Sequence, residues 1–387
     1  MKQYNRRTFL TNIAALGGAG ALSYFVPPAL AQLITPGDKR RPLEMLALGD
    51  SVIWGQGLKD EFKFVLKVRT WLEKEIGNKV NLDFNQPHSG ATIFPEIDKR
   101  KTFHGEVNNA SPSILQQVEN SRKYYETRPA KSGGPLTPEL VDLVIVDGGI
   151  NDVEAPSIVI ANRKSIAKKA NTYCFEGMKV LLNRIAKTYP NARILVTGYF
   201  PLISEATNPT EFLDDLLLVF GPNKIQPMIS AFGKRILNFL PARLRLRTIL
   251  SERSKTWHIK SDEALQKAVD DFNGKNSIPS KSIQFTAVNP RAYFVKSDFK
   301  DPHCYGVDRT TYLWRIRENT RTNDDLSDER NDKICKVRNG SPLGLLTCNR
   351  AGAFHPNREG AEAYAVAIKK KLARDVLPLT GWVPKVI

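Results

Sequence analysis

The chain has 387 residues, 57 Lys plus Arg against 40 Asp plus Glu, and a formal net charge of +17. That length holds one enlarged α/β domain, or a domain with a cap, around a substantial core. The basic surplus favours anionic partners such as phospholipid head groups or acidic glycans. No nucleic-acid motif accompanies it, so nucleic acid is set aside as a partner.

At the N-terminus, Asn5-Arg6-Arg7-Thr8-Phe9-Leu10 is a twin-arginine pattern, followed by a weakly apolar stretch over 13–28 and a small-x-small site, Ala29-Leu30-Ala31. Gly, Ser and Pro break the apolar stretch short of the about 20 residues a membrane span needs. Residues 1–31 are therefore expected to be a Tat signal peptide and residues 32–387 an exported domain, periplasmic or extracellular. Losing Lys2, Arg6 and Arg7 lowers the charge by three, from +17 to +14. No second spanning segment follows, and a soluble monomer is expected, with any membrane contact peripheral and directed at an anionic surface.

The apolar pattern then alternates. Residues 44–48 predict a first strand and 80–84 a second, with a helix between them over 62–76. A helix over 113–125 leads to a third strand over 143–146, and a long helix over 165–189 to a fourth over 192–197. The fifth strand lies at 284–288 or at 292–295, after a helix over 262–272, and a helix over 357–372 closes the series. Strand–helix alternation of this kind predicts a parallel sheet covered on both faces. Right-handed crossovers then bring the loops after the strands to one rim.

Two stretches interrupt the alternation. Residues 202–256 are apolar and basic, with a run from 212 to 220 and then Arg243, Arg245, Arg247 and Arg253. They read either as a lid facing an anionic lipid surface or as the packed core of a cap. Residues 304–350 are polar and hold Cys304, Cys335 and Cys348, the fourth cysteine being Cys174. In an oxidising compartment these are expected to brace the chain. Of the three pairings, Cys335–Cys348 with Cys174–Cys304 is preferred. No His joins the cysteines at ligand spacing, and neither HExxH nor a phosphate-binding glycine motif occurs, so no metal or other cofactor is expected.

Four blocks carry chemistry. A serine attacks an ester only when a base takes its proton and donors stabilise the oxyanion. Gly49-Asp50-Ser51 ends the first strand and offers Ser51 as nucleophile. Ser89-Gly90-Ala91 follows the second strand, and Gly90 brings a backbone N–H close to a substrate oxygen. Gly149-Ile150-Asn151-Asp152 follows the third strand and adds the Asn151 amide. His355-Pro356-Asn357 opens the last helix and offers His355 as base. The plainer readings are that Asp50 caps a turn, that Asn151-Asp152 caps a helix, that His88 is a loop residue, and that His104 and His258 are structural or exposed.

This ordered set resembles the SGNH (GDSL) hydrolase family, with Gly360 and Tyr364-Ala365 continuing the match in the last helix. The resemblance spans residues 44–372 apart from the two insertions. It implies a three-layer αβα sandwich with a flavodoxin-like parallel sheet of about five strands, here carrying a helical insertion and a disulfide-braced polar loop. It also implies Ser51 as nucleophile, His355 as base, and an oxyanion hole formed by the N–H groups of Ser51 and Gly90 and the Asn151 amide. The family's usual acid three residues before the His is absent, because that position is Gly352. A backbone carbonyl near Gly352, or Asp301 or Asp298, is then left to orient the imidazole. Asp301-Pro302-His303 also makes His303 a rival base. The expected activity is that of an exported serine esterase acting on a lipid or an O-acylated glycan. A non-catalytic glycan- or lipid-binding module on the same fold, or an O-acyltransferase, is the alternative.

Overall fold

Five short runs of aliphatic and β-branched residues build the centre of the molecule. The computed structural model describes residues 41–82, 86–95, 105–106, 111–127, 137–208, 212, 214–215, 240–275, 291–297, 299, 311–315, 324–335, 348 and 350–377. Among them, β1 (Leu43–Leu48), β2 (Val80–Asn81), β3 (Val141–Val146), β4 (Arg193–Thr197) and β5 (Arg291–Val295) form one sheet in the order β2-β1-β3-β4-β5. Every pairing is parallel. All residues of β1 and β4 are buried, as strands covered on both faces must be, which is why they read as continuous apolar runs without alternation. The fifth strand is the second of the two expected options; the first, 284–288, lies outside the described residues, as does the signal peptide expected over 1–31.

Helices cover both sides of the sheet. They are α1 (Ser51–Trp54), α2 (Phe64–Ile76), α3 (Ile114–Thr127), α4 (Ile150–Val153), α5 (Ala155–Ile160), α6 (Arg163–Ala170), α7 (Met178–Thr188), α8 (Leu240–Lys275) and α9 (Arg358–Lys371). In α2 the buried residues Phe64, Val65, Val68, Leu72 and Ile76 form one stripe, and this helix packs on α9, whereas α3 packs on α7 and α7 on α8. The helix expected over 165–189 is a rod in which the π-helical stretch Asn171–Gly177 joins α6 to α7. The three-layer arrangement and the strand order are those of a flavodoxin-like fold.

The second half of the expected insertion is different. Residues 242–273 contain neither Gly nor Pro, so no local signal stops a helix, and α8 runs unbroken through 256 to 275. It buries Leu246, Leu250, Trp257, Leu265 and Phe272 in the core. The apolar run over 212–220 lies largely outside the described residues. Cys335 and Cys348 are joined as expected. Cys174 is not: it is a free, buried thiol in the π-helical stretch, and a β-carbon placed on Gly149 would meet its sulfur at 2.9 Å. The thiol is unbridged and packed against that turn, so the Cys174–Cys304 pairing is corrected; Cys304 itself lies outside the described residues. Among the described residues no helix is long and apolar enough to cross a membrane.

Candidate active site

In this strand order the chain leaves β1 and β3 in opposite senses, and the C-terminal ends of that strand pair are where folds of this order bind their ligands. Gly49-Asp50-Ser51 follows β1, and Asp147 to Asp152 follow β3. The two turns touch. Gly49 has φ +151°, and a β-carbon there would lie 2.1 Å from Asp147 Oδ1, so only glycine lets the strands end this close. The Asp50 N–H donates to Asp147 Oδ1 at 2.8 Å, and Asp50 Oδ1 accepts the Val52 N–H at 2.9 Å. Asp50 thereby caps α1 and leaves Ser51 as its first residue.

His355 reaches Ser51 from the other end of the chain. Its loop is clipped to residues 311–315: the Phe354 N–H donates to the Trp314 carbonyl, the Trp314 N–H to the His355 carbonyl, and the Asn357 N–H to the Tyr312 carbonyl. Phe354 is held at φ +66°, a conformation that bulky residues avoid, with its ring edge-on to Phe212. Asn357 then caps α9. The result is a His355 Nε2 to Ser51 Oγ distance of 2.7 Å, with Nδ1 3.0 Å from the Ala353 carbonyl. A carbonyl only accepts, so Nδ1 carries the proton and Nε2 offers its lone pair to the serine hydroxyl. Burial pushes the imidazole down to about 4, against an opposing pull from the Ala353 and Gly352 carbonyls. Asp298, Asp301 and His303 lie outside the described residues.

The Gly90 turn is fixed by the His88 N–H donating to the Gly49 carbonyl and the Ser89 N–H donating to the Gly105 carbonyl. Gly90 sits at φ +81°, where a side chain would be strained. Among the described residues, neither the Ser51 N–H nor the Gly90 N–H donates to a protein acceptor. The Asn151 amide donates to the Ala91 carbonyl at 3.0 Å, which uses one of its two N–H groups and ties the third block to the second. Neither Asn151 nor Asp152 caps α4, whose N-cap is Gly149 without a side-chain bond. Asp152 instead accepts the Ile93 N–H at 3.0 Å, and burial raises it to about 6. His88 is a buried loop residue whose Nδ1 lies 2.9 Å from the Ser89 carbonyl. His258 lies on α8 with Nδ1 3.1 Å from the Tyr199 carbonyl. His104 lies outside the described residues.

Several residues at the site carry no sequence signature. Arg330 is fully buried and donates to Glu106 Oε2 from Nε at 3.1 Å and to both Asp324 oxygens at 3.0 and 2.7 Å. Glu106 also accepts from Trp54 Nε1 and Gln56 Nε2, just past the serine. Asp324 lies against the His355 loop: a β-carbon on Gly352 would come 2.2 Å from its Oδ2. The space that a side chain at 352 would fill is thus taken by a carboxylate committed to Arg330. Asp147 and Tyr199 form a second buried group, with the Tyr199 hydroxyl donating to Asp50 Oδ2 at 2.8 Å and accepting the Ile150 N–H at 3.3 Å.

No protein-family model matches the chain, and no curated protein matches it. Solved structures do. The chain is similar to lipases and carbohydrate esterases. An extracellular lipase from Streptomyces rimosus is 12% identical, with a TM-score of 0.42 over 85% of this chain and 99% of that one. Est24, a carbohydrate acetylesterase from Sinorhizobium meliloti, is 13% identical, with a TM-score of 0.38 over 86% and 98%. A family 3 carbohydrate esterase from Clostridium thermocellum is 14% identical, with a TM-score of 0.37 over 88% and 100%.

Proposed function

We propose that the chain is a serine esterase of SGNH type in which Ser51 and His355 act as a dyad oriented by the main chain. The observation that carries this is the 2.7 Å contact between His355 Nε2 and Ser51 Oγ, with Nδ1 bound to the Ala353 carbonyl. As Ser51 Oγ attacks the ester carbonyl, its proton passes to Nε2. The charge gathering on the carbonyl oxygen is met by the Ser51 and Gly90 N–H groups and by the second N–H of Asn151. The imidazolium is stabilised through Nδ1–H by the carbonyl and returns its proton to the leaving alcohol. Water then repeats the sequence on the acyl-enzyme.

A serine-directed phosphonate probe tests the nucleophile: covalent modification of Ser51 in the wild type and its absence in His355→Ala are expected. An unmodified Ser51 in the folded protein would favour the non-catalytic binding module. For the substrate, an O-acylated glycan and a lipid are separated by comparing acetyl with long-chain p-nitrophenyl esters. The transferase reading predicts a new acylated product only when a sugar acceptor is added. The twin arginines Arg6 and Arg7 support export by the Tat route, and the Cys335–Cys348 bond suits an oxidising destination.

A further inference from the structure

Two carboxyl groups meet beneath the nucleophile, and both are completely buried. Asp50 precedes Ser51, and Asp147 directly follows β3; each has no exposed surface. The Asp50 carboxylate is well supplied with donors, taking the Val52 N–H at 2.9 Å on Oδ1 and the Tyr199 hydroxyl at 2.8 Å on Oδ2. Asp147 Oδ1 accepts the Asp50 N–H at 2.8 Å. Asp147 Oδ2 meets no donor in hydrogen-bonding geometry among the described residues; the Asp50 carboxyl and, less strongly, the Ile53 N–H are the other polar groups acting on its carboxyl. Two adjacent carboxylates in a dry site cannot both ionise, and a carboxyl oxygen without a donor beside a second carboxylate is satisfied when it carries a proton.

We propose that Asp147 is held as a neutral carboxylic acid that donates its Oδ2 proton to the Asp50 carboxylate, and that this pair, with Tyr199, positions the oxyanion donors. The chain of contacts is continuous. Asp147 holds the Asp50 N–H and carboxylate, Asp50 fixes the first turn of α1 and so the Ser51 N–H, and Tyr199 bridges Asp50 to the Ile150 N–H beside Asn151. The donors on the β1 turn and on the β3 turn are thus set relative to one another by one shared proton and one tyrosine hydroxyl. Burial, followed by the facing Asp50 charge, raises Asp147 well above the usual carboxylate range. Asp147 touches no substrate; it acts through Asp50 as a positioning residue. The kinetic part of this inference rests on the esterase reading above, whereas the protonation does not.

The test has an arm for each. With the full chain labelled by 13C at aspartate carboxyls, the spectrum at about pH 8 is expected to keep one signal at the protonated position. Asp152 and Asp262, raised to about 6 and about 7, are ionised by then. That signal should vanish in Asp147→Asn. Its absence in the wild type, or its survival in Asp147→Asn, overturns the assignment whatever the activity. In turnover of p-nitrophenyl acetate, Asp147→Asn keeps both the Oδ1 acceptor and a donor in place of the O–H, and is expected to stay within about threefold of wild type. Asp147→Ala and Tyr199→Phe are expected to lower kcat by about ten- to a hundredfold with little change in KM, the scale of a small misplacement at a reacting centre. If Asp147→Ala does not fold, Tyr199→Phe carries the kinetic arm. A loss in Asp147→Asn as large as that in Tyr199→Phe, or a loss confined to KM, overturns the positioning role. A wild type without any ester hydrolysis defeats the esterase reading and leaves the carboxyl signal to decide the proton.

Discussion

In the proposed dyad His355 must be neutral to accept the Ser51 proton, and its surroundings favour that form. Burial disfavours the imidazolium and sets the folded value at about 4, below the ordinary 6.5. The acid limb of kcat/KM in the free enzyme is therefore expected near pH 4, and a limb at the ordinary histidine value would show that the ring titrates in open water. The same shift has a cost in stability. Between 6.5 and about 4 the unfolded chain binds a proton that the folded chain does not, so His355 makes unfolding easier as pH falls through that window. Ser51→Ala should end turnover while leaving the fold intact, and Asn151→Ala should lower kcat by roughly 10²–10³, the loss typical of one oxyanion donor. Steady-state kinetics beside thermal melts of the two variants separates chemistry from folding. At Gly352 the expectation runs against the family pattern. Because Asp324 Oδ2 would stand 2.2 Å from a β-carbon there, Gly352→Asp should destabilise the protein and leave kcat no higher, measured by melting temperature and turnover.

At the scale of elements, the sequence made the sheet legible and left its supports hidden. β1, β3 and β4 read directly because strands buried on both faces are mostly apolar runs, and Ser51, Gly90, Asn151 and His355 stand out as candidates because each lies after a strand or just before a helix. The third partner of His355 was open between a carbonyl and an acid, since nothing local distinguishes a loop that folds back on its own carbonyl. Asp147 is an acid just after an apolar strand, a common turn residue that no motif marks out. Arg330 and Glu106 had no signal at all, lying 224 positions apart in a polar region and a loop. Their contact is what joins the serine's turn, through Trp54 and Gln56, to the base's loop, through Asp324 and Gly352. Arg330→Met is expected to destabilise by about 3–5 kcal/mol, because it strands two buried carboxylates. Urea unfolding checks this, and a change under 1 kcal/mol would mean that the carboxylates find water or protons instead.

At the scale of the whole molecule, the disulfide joins the two segments that meet at the base. Cys335 ends the helical stretch that carries Arg330, and Cys348 stands just before Arg350, whose carbonyl accepts the Ala353 N–H within the loop leading to His355. The bond closes a short loop, with a separation of 13 residues, for which the chain-entropy estimate is about 3 kcal/mol. Breaking it loosens the His355 loop against the Arg330 segment, where the packing of Asp324 on Gly352 remains, while leaving the sheet, and Ser51 upon it, in place. Cys335→Ser with Cys348→Ser should therefore lower the melting temperature. It should also lower phosphonate labelling of Ser51 below that melt, because His355 is released first. The free thiol of Cys174 is buried under Gly149, so mild reductant should reproduce the double variant in the wild type and add nothing to it. A chain exported by the Tat route folds before it reaches an oxidising compartment, and would cross in the looser state. Arg6→Lys with Arg7→Lys should then hold back a reduced, weakly labelled precursor, and fractionation with thiol alkylation reads both properties in one gel. Full labelling of a retained, reduced precursor would show that the clip between residues 311–315 and the His355 loop orders the base without the disulfide.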